Sequence, residues 1–259
     1  MNIGQEAGNI AQEPGAATVS YRALAGLFEA QGLRLRGGFW LPEAVAQGRI
    51  AAPVVALPGG QPPATVLLVG TVGGEFWPEF SNALEYQDGQ PHPLDRWSAR
   101  LIGQQATRIG AVAVFPSDGP PYHPFQRWAQ LCEPVFPSPL GLLIHPDWGL
   151  WHAYRGALLL PQRLSDLPES AASTSPPCDS CREKPCLTHC PVTAFTLEGY
   201  DVASCARHLN GADRANCLQQ SCAARRACPL GRAHHYDSRQ TGFFMSAFLA
   251  SRSGGKTRA

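Results

Sequence analysis

Eight of the nine cysteines lie between residues 178 and 228, and this clustering constrains the chain more than any other feature. They form two runs, Cys178-x2-Cys181-x4-Cys186-x3-Cys190-Pro and Cys205-x11-Cys217-x4-Cys222-x5-Cys228-Pro. The first residues show neither the basic nor the apolar region of a secretory signal, so we expect a cytoplasmic, reducing location. Disulfides are rare there, and clustered thiols indicate metal or redox chemistry.

Four plus four thiolates are the ligand count of two [4Fe–4S] clusters. Short intervals let the first three cysteines of a run surround one cubane, while the fourth ligates the other cluster. This crossing predicts a first set of Cys178, Cys181, Cys186 and Cys228, and a second set of Cys190, Cys205, Cys217 and Cys222. Two alternatives remain open. One is a pair of zinc sites, although only one Cys-x2-Cys knuckle is present. The other is that the irregular later spacings leave one cluster or none.

The rest of the chain divides at a connector rich in Ser, Pro and Ala, which we place at residues 163–177. Upstream, in residues 1–162, helical periodicity at 18–31, 94–109 and 124–131 alternates with apolar runs at 65–71, 111–115, 141–144 and 153–161. This pattern predicts a layered α+β domain. A small iron–sulfur module at 178–233 follows, and residues 234–259 then form an amphipathic helix and a tail.

Charge and hydropathy argue against two classes of partner. The net charge is +1 and no run of like charges is long, so we expect no nucleic-acid partner. No window approaches the roughly 18 apolar residues that a membrane span needs, so we expect no membrane insertion.

The segment "CDSCREKPCLTHCPVTAF" resembles the ferredoxin-type modules of redox enzymes, including the variant with a proline just before the third cysteine. The second run departs from that pattern, because intervals of four and five residues replace intervals of two. The resemblance implies bound iron–sulfur clusters and a partner that donates electrons.

The segment "IHPDWGLWHAYRG" is similar to the vitamin B12-processing (cobalamin decyanase) family and to epoxyqueuosine reductases, which share a nitroreductase-like α+β fold. The residues that match the first of these families are Ile144, His145, Pro146, Trp148, Gly149, Trp151, Arg155 and Gly156. Epoxyqueuosine reductases also join this domain to eight cysteines in the order four, one, three, as here. Their catalytic aspartate precedes the helix corresponding to Phe125–Leu131, where the nearest acid in this chain is Asp118.

This second resemblance implies a pocket for a flat cofactor, cobalamin or FMN, in the upstream domain. Its candidate lining is Tyr122, His123, His145, Trp148, Trp151 and Arg155. The tryptophans are equally compatible with core packing, and His145 with a turn. Three functions follow: an iron–sulfur oxidoreductase acting on a small molecule or cofactor, an electron-transfer protein without its own cofactor, and a zinc-binding interaction module.

Overall fold

The computed structural model describes residues 19–51, 55–169 and 175–253. The helices are α1 Tyr21–Glu29, α2 Leu41–Ala46, α3 Trp77–Ser81, α4 Leu84–Gln87, α5 Pro93–Ile109, α6 Phe125–Cys132, α7 Pro177–Ser180, α8 Pro185–Thr188, α9 Val202–Asn210, α10 Ala215–Gln220, α11 Ala223–Arg226 and α12 Ser238–Ser253. The strands are β1 Arg34–Trp40, β2 Thr65–Val72, β3 Val112–Val114, β4 Phe136–Pro137, β5 Leu143–Ile144 and β6 His152–Leu160.

The main sheet has four strands in the order β1-β2-β6-β3, and every pairing in it is antiparallel. All residues of β2 are buried, because helices cover both faces of this central strand. Leu67 and Val69 pack on the side of α1 and α5, whereas Val66 and Leu68 pack on the side of α6. The prediction of a mixed α+β architecture is confirmed.

The longest upstream helix, α5, shows why the sequence pattern was readable. It starts at Pro93, whose missing N–H costs nothing in the first turn, and ends before Gly110, which adopts φ 65°. Leu94, Trp97 and Leu101 recur at helical spacing and are buried against the sheet. The helix therefore forms one wall of the upstream core.

Bulges interrupt both neighbours of β2 near Val69 and Gly70. In β1 the register slips between Leu35 and Gly38, and in β6 Arg155 has no partner opposite it. A bulge adds one residue and redirects the side chains beyond it. The bulges explain how the arginines of β1 and β6 can leave the alternating pattern of their strands.

The last part of the cysteine-rich module and the segment after it return to the end of the sheet. Arg225 donates to the Leu150 carbonyl from Nε at 3.2 Å and from Nη2 at 2.5 Å. Gln240 donates to the Gly73 carbonyl at 3.1 Å. A third apolar cluster joins Leu140, Ile144 and Leu150 to residues of the cysteine-rich part. The upstream domain and the cysteine-rich part thus share a packed interface. No helix in the described part of the chain is long and apolar enough to cross a membrane.

Candidate metal centre and the adjoining polar cluster

The first set of cysteines lines one cavity of about 290 Å³. The short helices α7 and α8 each begin with a proline and carry a cysteine as their second residue, Cys178 and Cys186. Lys184 adopts φ 41° just before α8, and its Nζ donates to the Cys178 carbonyl at 2.9 Å. Ile144 of the upstream domain also lines this cavity. Four thiols and part of the upstream domain therefore meet at one place.

Electrostatic interactions between thiols connect the same four cysteines. Burial raises the pKa of the Cys178 thiol, and three neighbouring thiols raise it further: Cys228, Cys186 and Cys181. Cys186 responds in the same way, to burial first and then to Cys228 and Cys181. Thiols that raise one another's pKa favour a bound cation that stabilises their thiolate forms.

In the second set, Cys205 lies in α9 and Cys217 in α10, while Cys222 directly precedes α11 and Cys190 follows α8. Burial raises the pKa of Cys205, and Cys190 and Cys217 add to that shift. Burial raises the pKa of Cys222 as well, with smaller contributions from Cys217 and Cys205. Among the described thiols, none of these shifts arises from a cysteine of the other set.

The side-chain positions alone do not identify the metal. Across residues 19–51, 55–169 and 175–253, no group of three or more His, Cys, Asp or Glu side chains is close enough to hold a metal ion. A structural zinc ion requires its ligands at about 2.0–2.3 Å from one point. The positions of these side chains identify neither a zinc site nor an iron–sulfur cluster. The iron–sulfur interpretation therefore stays a proposal.

A tight turn from His145 to Gly149 lies beside the first set. The two residues exchange backbone hydrogen bonds of 2.9 Å, and the His145 Nδ1 accepts from the Asp147 N–H at 3.1 Å. The imidazole stacks on the Trp148 indole with centroids 3.9 Å apart. The backbone of the turn touches Leu230 and Gly231, which closely follow Cys228. This contact joins the turn to a ligand loop of the first set.

Arg36 occupies the centre of a buried polar cluster next to the turn. Its Nε and Nη2 form a bidentate ion pair with Glu133 at 2.6 and 2.7 Å. Its guanidinium lies 4.4 Å from the centroid of the Trp148 ring and 4.9 Å from that of Tyr154. The Tyr154 hydroxyl donates to Glu133 at 2.9 Å. The cluster places a cation against the face of the half-buried Trp148.

His152 completes this cluster as a neutral imidazole. Its Nδ1 accepts from Arg36 at 3.2 Å, because a guanidinium can only donate, and its Nε2 donates to the Leu143 carbonyl at 3.0 Å. Burial, assisted by the charge of Arg36, lowers the pKa of His152 to about 3. Burial and Arg36 likewise lower the pKa of His145 to about 4. Both rings are uncharged at neutral pH.

These lowered pKa values predict a loss of stability in acid. In the unfolded chain a histidine has a pKa near 6.5. Below that pH the unfolded state therefore binds a proton that the folded state does not bind. The free energy of unfolding should be unaffected above pH 6.5 and should fall by about 1.4 kcal/mol per pH unit for His152 below it. Anaerobic urea unfolding at pH 7.0 and 5.5 should show a smaller loss in His152→Gln. An equal loss in both proteins would contradict the assignment.

The structure brings together only part of the predicted cofactor lining. His145 and Trp148 form the stack described above. Tyr122 is exposed, and His123 stacks on Trp128 with centroids 5.6 Å apart. Trp151 is fully buried, with the Arg225 guanidinium 4.3 Å from the centroid of its ring. These residues do not share a described cavity.

Arg155 lies at a different place, where two open cavities meet. It donates to the Asp95 carboxylate at 2.5 Å and to the Ser98 hydroxyl at 3.1 Å. Both it and Asp95 line a cavity of about 300 Å³ and a second one of about 710 Å³. Asp118, the nearest acid noted in the sequence, lines the smaller cavity and accepts the Phe115 N–H at 2.7 Å.

The Arg36 cluster was not predicted. Of its members, Arg36, Glu133, His152 and Tyr154 lay outside the predicted lining. A signal was present in "RLRGGFW", where paired glycines in an apolar strand indicate a bulge next to an arginine. The ion pair itself joins residues far apart in the sequence, so no local pattern could have shown it.

Removing the charge of Arg36 should be costly. The side chains of Arg36 and Glu133 are 0% and 9% exposed, and breaking a buried pair leaves one charge uncompensated, at about 3–5 kcal/mol. We expect Arg36→Met to lower the free energy of unfolding by that amount in urea titrations, and Arg36→Met/Glu133→Leu to recover most of it. The exposed Arg34–Glu75 pair is the control, where Arg34→Met should cost about 1 kcal/mol or less. Equal losses at the two arginines would contradict this account.

Comparison with known proteins finds similar solved structures but no matching family. No family model matches the chain, and no curated protein matches it. A B12-trafficking protein CblC of C. elegans, a homologue of human MMACHC, aligns with 14% identity over 92% of this chain and 97% of its own, with a TM-score of 0.43. An epoxyqueuosine reductase with an epoxyqueuosine-modified tRNA-Tyr stem loop aligns with 13% identity over 86% and 68%, with a TM-score of 0.39.

A selenomethionine-labelled epoxyqueuosine reductase aligns with 12% identity over 84% of this chain and 68% of its own, with a TM-score of 0.38. These are the kinds of protein that the sequence motifs resemble. Scores this low establish neither a shared fold nor a shared activity. The expectation of no nucleic-acid partner therefore stays a prediction from the sequence.

Proposed function

We propose that the protein is an iron–sulfur oxidoreductase that holds two [4Fe–4S] clusters and delivers single electrons to a corrinoid or flavin bound by its upstream domain. The observation that carries this proposal is one cavity lined by four thiols, Cys178, Cys181, Cys186 and Cys228. The remaining four thiols are assigned to the second group, in which Cys190 and Cys217 raise the pKa of Cys205. Each group combines cysteines from both runs of the sequence. That crossed membership is the arrangement of two-cluster ferredoxins.

The side chains of each set have the chemistry that a [4Fe–4S] cluster requires of its ligands. Each set offers four thiols that are buried or half-buried. The Ala194 N–H donates to the Cys190 Sγ at 3.3 Å. Hydrogen bonds to the sulfurs are a main determinant of cluster potential. Bound clusters would supply one-electron transfer at low potential.

The first set is the one next to the upstream domain. Ile144 and Pro139 line its cavity, and the turn carrying Trp148 packs against the loop that follows Cys228. We assign the half-buried Trp148, backed by His145 and Arg36, as the contact for the electron acceptor. A flat acceptor gains affinity by packing against the exposed part of such an aromatic ring. The electron donor is an external partner.

A second function is favoured by the scatter of the other predicted lining residues. Tyr122, Trp151 and Arg155 lie in three different surroundings, and none of the cavities described above includes more than one of them. A carrier that relays electrons between partners needs no cofactor pocket of its own. The two functions differ in whether the purified protein binds an acceptor.

Anaerobic titration of the reconstituted protein with a cobalamin and, separately, with FMN decides between them. The oxidoreductase predicts binding of one of the two, with a Kd below tens of micromolar, as cofactor sites require. Trp148→Leu should abolish that binding and retain the iron, whereas Tyr122→Phe, a change at an exposed ring, should leave binding intact. Wild-type protein that retains its iron and binds neither compound would overturn the oxidoreductase and leave the carrier.

A further inference from the structure

Charge is divided unevenly between the two parts of the chain. Residues 1–177 contain ten Lys or Arg and fourteen Asp or Glu, whereas residues 178–253 contain nine Lys or Arg and six Asp or Glu. Every ion pair between described side chains lies at residues 34–163, and the described side chains of residues 175–253 form none. The cysteine-rich part therefore presents positive charge that its own acids do not pair.

Two of these cations border an open groove between α9 and the end of α12. The groove has a volume of about 640 Å³, and three small apolar residues of α9 line it, Val202, Ala203 and Ala206. Arg207 and Arg252 line it as well, and both are exposed. Arg207 donates to a serine hydroxyl at 2.7 Å, and Arg252 lies 5.5 Å from the centroid of a phenylalanine ring. Neither contact neutralises the charge, so the groove is apolar with a positive border.

The helix α9 lies between this groove and the second set. Leu209 is buried, and Cys205 precedes it by about one turn on the same side of the helix. Ala203 and Arg207, which line the groove, are exposed. An α-helix with its side chains is roughly 10–12 Å across. A partner seated in the groove would therefore come within about one helix width of the second set.

The first set, in contrast, borders the upstream domain. Pro139 and Ile144 line its cavity, and the loop that follows Cys228 contacts Trp148. The first set therefore lies beside the contact assigned to the electron acceptor. The groove on α9 belongs to the helix of the other set, which leaves it available to an electron donor.

We propose that the groove between α9 and the end of α12 is the docking site of a small acidic electron-carrier protein. Carboxylates of the carrier complement Arg207 and Arg252, which orients the carrier and speeds its association. One electron passes from the reduced carrier to this protein, and the carrier is oxidised by one electron, with no bond or proton exchanged. The inference names the electron donor of the proposed function and rests on that function.

The lining of the groove favours a protein over a nucleic acid. Single-stranded nucleic acids bind where bases stack on aromatic side chains along a basic path. None of the described residues that line this groove is aromatic. Small apolar residues within a positive border suit the mixed apolar and acidic surface of a protein partner instead.

The test is the binding of an acidic plant-type [2Fe–2S] ferredoxin to anaerobically reconstituted protein, measured by calorimetry. We expect Arg207→Glu/Arg252→Glu to weaken binding about tenfold or more at low salt, and wild-type binding to weaken as salt screens the charges. Arg108→Glu/Arg127→Glu is the matched control, because both residues are exposed in the upstream domain. It changes the net charge equally and should alter the Kd by about twofold or less.

Reduction kinetics give a second measurement. Stopped-flow reduction of the groove variant by reduced ferredoxin should be slower by about tenfold or more. Its reduction by dithionite, which needs no docking surface, should match wild type, as should its iron content. If Arg207→Glu releases iron because it lies close to Cys205, Arg252→Glu alone decides. That variant should retain its iron and bind the ferredoxin about threefold more weakly or worse.

The outcomes separate this inference from the proposed function. Iron-replete wild type that does not bind the ferredoxin, or binds it as tightly as the groove variant does, would overturn the inference alone. Equal weakening in the upstream control would also contradict it, since the effect would then follow net charge. So would an RNA stem loop that binds wild type more tightly than the ferredoxin through the same arginines. Wild-type protein without iron–sulfur clusters would overturn the proposed function and this inference together.

Discussion

Gly231→Ala is expected to lower the free energy of unfolding by about 3 kcal/mol or more. Gly231 adopts φ 69°, and an added Cβ would overlap the carbonyl oxygen of Trp148. The left-handed conformation alone costs a residue with a Cβ about 1–2 kcal/mol. The overlap adds to that cost, because the obstacle is backbone and cannot rotate away. Gly149 makes the reciprocal contact with the carbonyl of Leu230.

Gly141→Ala is the matched control for this prediction. Gly141 adopts φ 72°, close to that of Gly231, but a Cβ there would meet nothing within 4 Å. Its replacement should therefore cost only the conformational strain of about 1–2 kcal/mol. Anaerobic urea unfolding of both variants measures the difference. Equal losses at the two positions would show that the turn and the Cys228 loop are not held in contact.

This contact also sets an expectation for the response of the upstream domain to metal loss. Ligand thiolates must be organised for a metal to bind, so metal binding contributes to folding. The Cys228 loop is clamped to Trp148 and Gly149, and Arg225 holds the Leu150 carbonyl. Removal of metal should therefore loosen the His145–Trp148 turn as well as the cysteine-rich part.

Much of the upstream fold was predictable because local periodicity is strong there. The apolar run at 65–71 corresponds to β2, and the helical pattern at 94–109 corresponds to α5. Both elements bury one continuous pattern against the core, so the sequence records the burial directly. The strand β1 was missed because Arg34, Arg36 and two glycines interrupt its apolar pattern.

The residues that line a cofactor pocket could not be predicted as well from the sequence, for a physical reason. Trp148 and Trp151 are three residues apart in one motif, yet Trp148 is half-buried beside Arg36 and Trp151 is fully buried beneath Arg225. Which of two aromatic residues faces a cavity depends on long-range contacts, and spacing does not encode them. The cysteine sets could be proposed from the sequence, because cluster ligation imposes a recurring order along the chain, and they stay a prediction.

Double cysteine substitutions are expected to lose different amounts of iron. The loss should be smaller when the two residues belong to the same set than when they belong to different sets. Cys181 and Cys228 are 47 positions apart in the sequence numbering but couple to one another, whereas Cys181 and Cys190 belong to the same run. Removing two ligands of one cluster leaves the other complete. Removing one ligand from each cluster damages both. The iron content of the double variants therefore shows which cysteines belong to the same set, because both variants lose the same number of thiols.

The direct measurement is iron and acid-labile sulfide per chain in anaerobically reconstituted protein. Wild type and Cys132→Ala should each contain about eight of both, since two [4Fe–4S] clusters require them and Cys132 is buried in the upstream core. Cys181→Ala/Cys228→Ala should retain about four, and Cys181→Ala/Cys190→Ala should retain close to none. The reverse order of the two double variants would contradict the crossed sets, and stoichiometric zinc without labile sulfide in wild type would contradict the iron–sulfur account altogether.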